Sequence, residues 1–234
     1  MYLSVIIPAF NEENRIGSSL TKIYEYLKKR AYDFEIIVVD DGSKDKTLNL
    51  LSEYSQNIPN LIVLKNESNV GKGFSVKKGL LKSRGEIILF TDADMSTPIE
   101  EIDKLIHWLK NGYQIAIGSR DLPESQVKRH QTWYRELMGK IFNKIIRLIL
   151  NLDYHDTQCG FKCFRNNAAS EIFKSMKLCG FSFDVEMLFI AKHLGIKVKE
   201  VPVCWYNSPD TKVKIVRDSL KMLWDILKLR FNFG

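Results

Sequence analysis

Cysteine is scarce in this sequence, and the cysteines that it has are widely spaced. The 234 residues include four, with no paired CxxC spacing: Cys159, Cys163, Cys179 and Cys204. Their number and spacing exclude a disulfide scaffold. We therefore expect reduced thiols in a cytoplasmic protein.

Long apolar runs are also missing. No stretch reaches the roughly 18 residues that a membrane-spanning helix needs. The longest candidate, residues 145–152, is interrupted by Arg147 and Asn151. The first residues lack the basic start and the small-residue cleavage site of a signal peptide. We expect a chain without a spanning segment or a leader, which begins directly with a strand.

Two glycine motifs that bind phosphate in other folds are absent as well. The sequence has neither the GxxxxGK[ST] of a P-loop nor the GxGxxG of a dinucleotide-binding fold. The glycines of Gly71-Lys72-Gly73 allow backbone to approach a ligand closely, but this motif alone is a weak signal. The chain has no internal repeat, and its length fits one domain that covers residues 1–234.

The first half contains a regular alternation of short apolar stretches and amphipathic ones. Strands that alternate with helices of this length predict βαβ units and an α/β fold with a mainly parallel sheet. Right-handed connections place the loops after the strands at one edge of that sheet. The predicted strands cover about residues 3–8, 34–39, 61–64, 87–90 and 113–118.

The second half is less regular and rich in cations. Lysine and arginine crowd residues 128–147 and 212–230, within a net charge of +7. Such segments fit nucleic acid, an anionic membrane, a phosphorylated substrate or simply a solvated face. The predicted elements are a mobile loop at 121–132, an amphipathic helix at 133–150, two helical stretches around Cys179-Gly180, a strand at 198–205 and a basic amphipathic helix from 213 to about 229.

Two carboxylates, Asp92 and Asp94, follow the fourth predicted strand directly. Ligands of open α/β sheets bind outside the carboxyl ends of the strands, so both acids should lie at the rim of a cleft. Carboxylates this close repel each other unless a cation neutralises them. Oxygen ligands on a turn suit Mg²⁺ or Mn²⁺. The alternative is that one Asp caps the helix that begins near Pro98, beside a solvated neighbour.

Other polar groups follow the neighbouring strands and should lie at the same edge. They are Asn11 and Glu12 after the first strand, Asp40 and Asp41 after the second, Lys72 after the third and Arg120 after the fifth. Acids that can hold a ribose or a base edge thus stand beside cations that can hold phosphate. This combination favours a nucleotide with a diphosphate as the ligand.

Five short motifs occur in order along the chain: VIIPAFNEE at 5–13, VVDDGS at 38–43, GKG at 71–73, DAD at 92–94 and GSR at 118–120. Together they resemble the ordered motifs of family 2 glycosyltransferases. The resemblance implies a GT-A-type fold and transfer of a sugar from a nucleotide-diphosphate sugar. Residues 156–162 (DTQCGFK) and 201–205 (VPVCW) are similar to the polyprenyl-phosphate branch, most closely to dolichyl-phosphate glucosyltransferases, with dolichyl-phosphate mannosyltransferases as the near alternative.

The resemblance assigns donor binding to the half formed by residues 1–120. Loop residues after the successive strands are expected to bind different parts of the donor. They are Pro8, Phe10 and Glu12 at the nucleobase, Asp40 and Asp41 at the base and ribose, Lys72 and Arg120 at the phosphates, and Asp92 and Asp94 at the metal ion.

Residues 121–234 are expected to form the acceptor-binding half. The resemblance places Arg135 at the acceptor phosphate, Asp156 and Gln158 at the reacting sugar, and Lys212 in a loop that closes over the diphosphate. Simpler explanations are a surface cation for Arg135 and a turn-forming side chain for Asp156. The predicted catalytic residues are Asp94, Asp156 and Arg135.

The predicted reaction is metal-dependent, inverting transfer of glucose from UDP-glucose to a polyprenyl phosphate. A lipid phosphate is already anionic, so no strong general base is needed, although Asp156 is a candidate. The alternatives are GDP-mannose as donor, a glycan as acceptor, or a non-catalytic nucleotide-sugar-binding protein. The paired acids would repel a nucleic acid backbone, so we expect no nucleic acid partner.

The basic helices at 133–150 and after 211 combine an apolar face with lysine and arginine, which suits an anionic membrane surface. The alternative is that their apolar faces complete the core. We expect a peripheral enzyme on the cytoplasmic face of a membrane, held there with the help of a membrane-protein partner or of homo-oligomerisation.

Overall fold

A computed structural model of the chain describes residues 1–130, 132–208 and 215–232. In the first half, its helices and strands are β1 Leu3–Ala9, α1 Ile16–Lys29, β2 Phe34–Asp40, α2 Thr47–Asn57, β3 Leu61–Lys65, α3 Lys72–Lys82, β4 Ile87–Thr91, a 3₁₀ turn Ile99–Glu101, α4 Ile102–Lys110 and β5 Ile115–Ser119. In the second half, they are β6 Gln126–Arg129, α5 Trp133–Leu150, β7 Phe161–Arg165, α6 Asn166–Ser175, α7 Phe183–His193, β8 Val198–Pro202, β9 Cys204–Tyr206 and α8 Ile215–Asn232.

Seven of these strands form one sheet, in the order β3-β2-β1-β4-β7-β5-β8. Strands β1, β2, β3 and β4 pair in parallel, as do β5 and β8. Strand β7 alone runs against its two neighbours, β4 and β5. The prediction of an α/β fold with a mainly parallel sheet is therefore confirmed.

The central strands are mostly apolar and almost entirely buried, because helices cover both faces of the sheet. In β1, Leu3, Val5 and Ile7 point to one face, where they pack with residues of α1 and α4. Ile6 points to the other face, toward residues of α3, α6 and α7. Strands buried on both faces are typical of parallel sheets. The core therefore lies in two layers, and the polar loops are left to the edges.

The antiparallel strand β7 was not predicted, and it reshapes the edge where the parallel strands end. Its first residue, Phe161, lies opposite Thr91, the last residue of β4. The turn at 156–160, which precedes β7, therefore reaches the same edge as the loop that follows β4. Hydrophobic periodicity could not reveal this, because a strand of five residues carries too short a pattern to show its direction.

Two of the predicted elements in the second half need correction. Residues 121–132 were expected to form a mobile loop, but they contain β6, which pairs with β9 in a second, two-stranded sheet. The predicted strand at 198–205 is divided at Val203 into β8 and β9. The N–H of Val203 still donates to the carbonyl of Ser119 in β5 at 3.2 Å, while its carbonyl accepts from the N–H of Gln126 in β6 at 3.1 Å, so the chain passes there from one sheet to the other.

Helices α5 and α8 pack against each other beside the large sheet. Ile146 and Leu150 of α5 join Ile226 and Leu229 of α8 in the core, while both helices keep other large apolar side chains exposed. Within the described residues, the model contains no helix whose length and apolar character suffice to cross a membrane. The predicted start of the last helix, at residue 213, lies outside the described residues.

Candidate active site

Two carboxylates lie after β4, at the edge where the parallel strands end. The side chains of Asp92 and Asp94 are 33 % and 24 % exposed. The N–H of Asp92 donates to the carbonyl of Gly160 at 3.2 Å, and the N–H of Ser96 donates to Asp94 Oδ1 at 3.0 Å. Local hydrogen bonds thus fix this loop, while both carboxylates remain partly exposed.

Lys72, at the start of α3, forms an ion pair with Asp92. Its Nζ lies 2.6 Å from Asp92 Oδ1, and its side chain is 22 % exposed. The ring centroids of Phe90 and Phe183 lie 5.2 and 5.8 Å from this nitrogen, distances at which aromatic faces attract a cation. Burial alone would lower the pKa of Lys72, but the negative charges of Asp92 and Asp184 raise it. The lysine is therefore charged at neutral pH.

Arg15 connects the loop after β1 with the second carboxylate. Its Nε and one terminal nitrogen donate to the two carboxylate oxygens of Glu12, each at 2.7 Å. Its other terminal nitrogen donates to Ser208 Oγ at 2.7 Å and lies 3.9 Å from Asp94 Oδ2. Glu12, predicted to line the nucleobase pocket, is thus buried and held by an arginine.

The charged form of Asp94 is only partly compensated by its neighbours. Burial and the charge of Asp92 raise the pKa of Asp94, although Ser96 and Arg15 oppose the shift. A divalent cation would favour the charged form, and carboxylate oxygens are suitable ligands for it. In the described part of the chain, no three His, Cys, Asp or Glu side chains are grouped so that they alone could hold a metal ion. Asp92 and Asp94 therefore fit a metal ion that shares its coordination with water and a substrate phosphate.

Asp40 and Asp41, at the end of β2, are both buried. The N–H of Ser43 lies 3.3 Å from Asp40 Oδ2. The carboxylate of Asp41 accepts hydrogen bonds from three donors in the loop before α3, which fixes the position of Lys72. The donors are Asn66 Nδ2 at 2.7 Å, the N–H of Val70 at 3.0 Å and the N–H of Gly71 at 2.8 Å.

The glycines on either side of Lys72 are required by contacts within the chain. Gly71 has a φ of +120°, and a Cβ added there would lie 2.4 Å from the carbonyl oxygen of Cys179. A Cβ on Gly73 would lie 2.6 Å from the Cβ of Phe183. The close backbone approach that the sequence suggested for a ligand is thus made to the chain itself.

Arg120, after β5, is bound to Asp156 by two parallel hydrogen bonds. Its Nε and a terminal nitrogen donate to the two carboxylate oxygens at 2.6 and 2.9 Å, and its guanidinium lies 5.4 Å from the ring centroid of Trp205. Burial alone would raise the pKa of Asp156, but Arg120 lowers it below its usual range. The sequence resemblance predicted that the carboxylate of Asp156 faces the reacting sugar. In the structure this carboxylate is enclosed and supplies the counter-charge of Arg120.

The remaining predicted site residues are spread around this edge. Pro8 and Phe10 are partly buried at the end of β1, and Arg135 is partly buried in the first turn of α5. The side-chain amide of Gln158 donates to a methionine sulfur of α8, 3.9 Å away. Lys212 lies outside the described residues.

A groove of about 680 Å³ runs beside Arg120, between α5 and the segments 120–122 and 151–155. Its lining combines apolar side chains with more cations than carboxylates, the latter being Asp121 and Asp153, so it suits an anion that carries a hydrocarbon chain. The lining includes Lys140, Lys144 and Arg147 together with Leu122, Leu148 and Leu152.

Sequence comparison agrees with this arrangement. The sequence profile of the family described as glycosyl transferase family 2 matches residues 4–173, which include both carboxylates after β4 and Arg120. The chain belongs to glycosyltransferase family 2. It is therefore an enzyme of the sugar-transferring class, as the resemblance implied.

Two curated relatives of this glycosyltransferase carry the name of the same activity. It is 36 % identical over 239 residues to a dolichyl-phosphate beta-glucosyltransferase of Trichomonas vaginalis, a match that covers 98 % of this chain and 73 % of the relative. It is 35 % identical over 244 residues to the dolichyl-phosphate beta-glucosyltransferase of Homo sapiens, covering 99 % and 75 %. The predicted resemblance to dolichyl-phosphate glucosyltransferases is confirmed.

Solved structures confirm the GT-A-type fold of this glycosyltransferase. Glucosyl-3-phosphoglycerate synthase of Mycobacterium tuberculosis in complex with UDP superposes with a TM-score of 0.74 at 19 % identity, over 98 % of this chain and 80 % of that one. The same enzyme with Mn²⁺, UDP-glucose and phosphoglyceric acid gives 0.71 at 19 % identity, with the same coverage.

Three charged residues of the site were not found from the sequence. Arg15 lies three residues after Glu12, a spacing at which helical side chains pair, so that signal was available. Lys162 and Asp184 form a buried ion pair beneath the edge. They are separated by 21 residues that include helix α6 and a loop, and no sequence spacing connects such a pair.

Gly160 offers a direct test of the geometry at Asp92. A Cβ added there would lie 1.9 Å from Asp92 Oδ2, so Gly160→Ala should displace this carboxylate. We expect kcat/KM for sugar transfer to fall about a hundredfold, as small misplacements of site groups do. Gly139→Ala is the matched control, because nothing lies within 4 Å of its Cβ. Equal activity of both variants, with intact folding in urea titrations, would contradict the placement of Asp92.

The Arg120–Asp156 pair should make stability depend on pH. The pKa of Asp156 is lower in the folded chain, so folding favours its charged form. The resulting stability is complete above the unfolded pKa of about 4 and is lost as pH falls through the lower folded value. Asp156→Asn should lower the free energy of unfolding by about 3 kcal/mol at pH 7. Urea unfolding should show this difference shrinking below about pH 4; a constant difference would refute the assignment.

Proposed function

We propose that this family 2 glycosyltransferase transfers glucose from UDP-glucose to a polyprenyl phosphate of the dolichyl type. One observation supports this most strongly: Asp92 and Asp94 meet Lys72 at one edge of the sheet, with Lys72 Nζ 2.6 Å from Asp92. Carboxylates that hold a metal ion and a cation that holds phosphate are what a nucleotide-diphosphate donor requires.

The choice of glucose and of a lipid phosphate is supported by the relatives. Those reported above are named dolichyl-phosphate beta-glucosyltransferases, and each match covers nearly the whole of this chain. UDP-glucose as the donor is supported by the M. tuberculosis enzyme of similar fold, which was crystallised with it. A mannosyl donor would keep the same mechanism and change only the sugar and the nucleobase.

Asp92 and Asp94 would hold a divalent ion, Mg²⁺ or Mn²⁺. Burial and the charge of Asp92 raise the pKa of Asp94, and a bound divalent ion would favour the charged form of this carboxyl. When bound, the ion supplies electrostatic stabilisation of the negative charge that develops on the leaving diphosphate. Lys72 would add a second positive charge at the same phosphates.

In the reaction, an oxygen of the acceptor phosphate forms a bond to the anomeric carbon. The bond from that carbon to the diphosphate oxygen breaks on the opposite side, and UDP leaves with the electron pair. The anomeric configuration is inverted. The acceptor is already anionic, so no proton has to be removed from it.

Two anions must approach each other in this step, and the cations beside the groove would make that possible. Arg120 stands where the groove meets the edge of the sheet, and Arg135 lies at the start of α5. We propose that Asp156 holds Arg120 in place and does not act as a base, because its carboxylate is enclosed and its pKa is lowered. Arg120, Arg135 and Lys212 would align the acceptor and donor phosphates.

The lipid tail requires an apolar surface next to the groove. Helices α5 and α8 expose large apolar side chains, including Trp133, Leu148 and Trp224, which are 76 %, 74 % and 59 % exposed. Lysines and arginines alternate with them along both helices. We propose that these two helices lie on the anionic, cytoplasmic face of a membrane, with the enzyme bound peripherally.

The proposed reaction is tested with purified protein, Mn²⁺ or Mg²⁺, and a panel of nucleotide sugars, each with and without a short polyprenyl phosphate. We expect lipid-dependent release of UDP from UDP-glucose. Asp94→Ala should lower the rate by at least about a hundredfold. Asp103→Asn, which changes a carboxylate paired with Arg30 away from the site, is the control and should be fully active.

Other outcomes of the panel would correct specific parts of the proposal. GDP release from GDP-mannose would change the sugar, and UDP release that ignores the lipid would exclude the lipid acceptor. Binding of UDP-glucose without any turnover would favour a non-catalytic protein.

Membrane binding is tested by sedimentation with vesicles that contain anionic phospholipid. Leu148→Glu and Trp224→Glu should each weaken binding about tenfold, because each removes an apolar side chain from the bilayer surface. Leu194→Glu changes a leucine that is also exposed but follows α7, and it should have no effect. Equal loss in all three variants, or in none, would exclude α5 and α8 as the membrane-binding surface.

A further inference from the structure

A second ion pair lies beneath Lys72, fully enclosed in the protein. Lys162 Nζ donates to Asp184 Oδ1 and, at 2.6 Å, to the carbonyl of Cys159. The side chain of Lys162 is 0 % exposed and that of Asp184 is 5 % exposed. Burying two charges costs several kcal/mol per ion, so apolar side chains would fill this space at a lower cost. The pair therefore calls for an explanation other than stability.

The position of this pair connects it to the candidate metal site. Lys162 stands in the middle of β7, opposite Phe90 of β4. Asp184 lies in the first turn of α7, next to Phe183. The rings of Phe90 and Phe183 are the two that flank the Lys72 ammonium. The buried pair thus lies behind the same aromatic contacts that hold Lys72.

Asp184 is also electrostatically coupled to the groups at the sheet edge. Its negative charge, together with that of Asp92, acts on the Lys72 ammonium. Burial raises the pKa of Asp184, and the cations Lys162 and Lys72 both oppose that shift. Charges of alternating sign therefore run from the edge inward, from Asp92 to Lys72, Asp184 and Lys162.

This order of charges affects metal binding, because Lys72 is paired with Asp92, a proposed metal ligand. A divalent ion and a tethered ammonium compete for the same carboxylate oxygens. If Asp92 were the sole counter-charge, its capture by a metal would leave a largely enclosed ammonium without a partner, which is costly. A second carboxylate that the metal cannot reach removes most of that cost.

We propose that Asp184, balanced by Lys162, is a positioning residue that retains the Lys72 ammonium when a divalent ion takes Asp92. Lys72 is then released from Asp92 and directed at the donor diphosphate. This inference rests on the proposed metal site and donor. Because Lys72 competes with the metal for Asp92, loss of Asp184 should weaken metal binding.

The test is Mn²⁺ binding to the purified protein without donor, measured by calorimetry and by the Mn²⁺ resonance signal. The central variant is Lys162→Met/Asp184→Leu, which removes both buried charges and leaves the net charge unchanged. Lys72 then loses one of the carboxylates that act on it, depends more on its ion pair with Asp92 and competes more strongly with the metal. We expect the dissociation constant for Mn²⁺ to rise about tenfold, a typical coupling between neighbouring groups.

Removal of Lys72 should reverse this effect. Adding Lys72→Met to the double variant should return the Mn²⁺ dissociation constant to that of Lys72→Met alone, within about twofold. A merely structural role for the buried pair predicts no such rescue. Asp184→Asn, which preserves side-chain shape, provides a second variant should the double variant fail to fold, and it should weaken Mn²⁺ binding in the same direction.

Glu186→Gln is the matched control on the same helix. Glu186 is buried and accepts from the N–H groups of Lys177 and Leu178, so this change should lower stability without altering Mn²⁺ affinity. Unchanged Mn²⁺ binding in the double variant and in Asp184→Asn, with normal binding in the wild type, would overturn this inference alone. Absence of Mn²⁺ binding in the wild type would instead overturn the proposed metal site, and this inference with it.

Discussion

The ion pair between Lys72 and Asp92 offsets part of the negative charge at this edge of the sheet. Parallel strands deliver several acids to one place, where like charges repel. Lys72 Nζ lies 2.6 Å from Asp92 Oδ1, and a terminal nitrogen of Arg15 lies 3.9 Å from Asp94 Oδ2. Burial and the charge of Asp92 nevertheless raise the pKa of Asp94, so its charged form is only partly compensated. A divalent ion at the proposed metal site would supply the missing positive charge.

The antiparallel strand β7 places the second half of the site against the first. Its direction carries the turn at 156–160 to the carboxyl end of β4, where Gly160 packs on Asp92. The same turn holds Asp156, which binds Arg120 from the end of β5. One reversed strand therefore couples the proposed metal ligands to the arginine beside the groove.

Charge inside the protein and apolar surface outside it serve the same proposed reaction. The buried Lys162–Asp184 pair lies behind the donor edge, while α5 and α8 leave large apolar side chains uncovered. Neither feature is favourable for an isolated soluble fold, since buried ions cost desolvation and exposed apolar patches promote association. Both become useful if the protein binds a charged donor on one side and a lipid on the other.

The sequence by itself determined the α/β class, the order of strands and helices in the first half, and the family. Short apolar stretches, period-3.6 patterns and short ordered motifs are local properties, so they can be read along the chain. The tertiary structure alone decided the direction of β7, the division of the strand at 198–205, the enclosure of Asp156 and the pairing of Lys162 with Asp184. These depend on contacts between residues distant along the chain, whose geometry and desolvation no local pattern encodes.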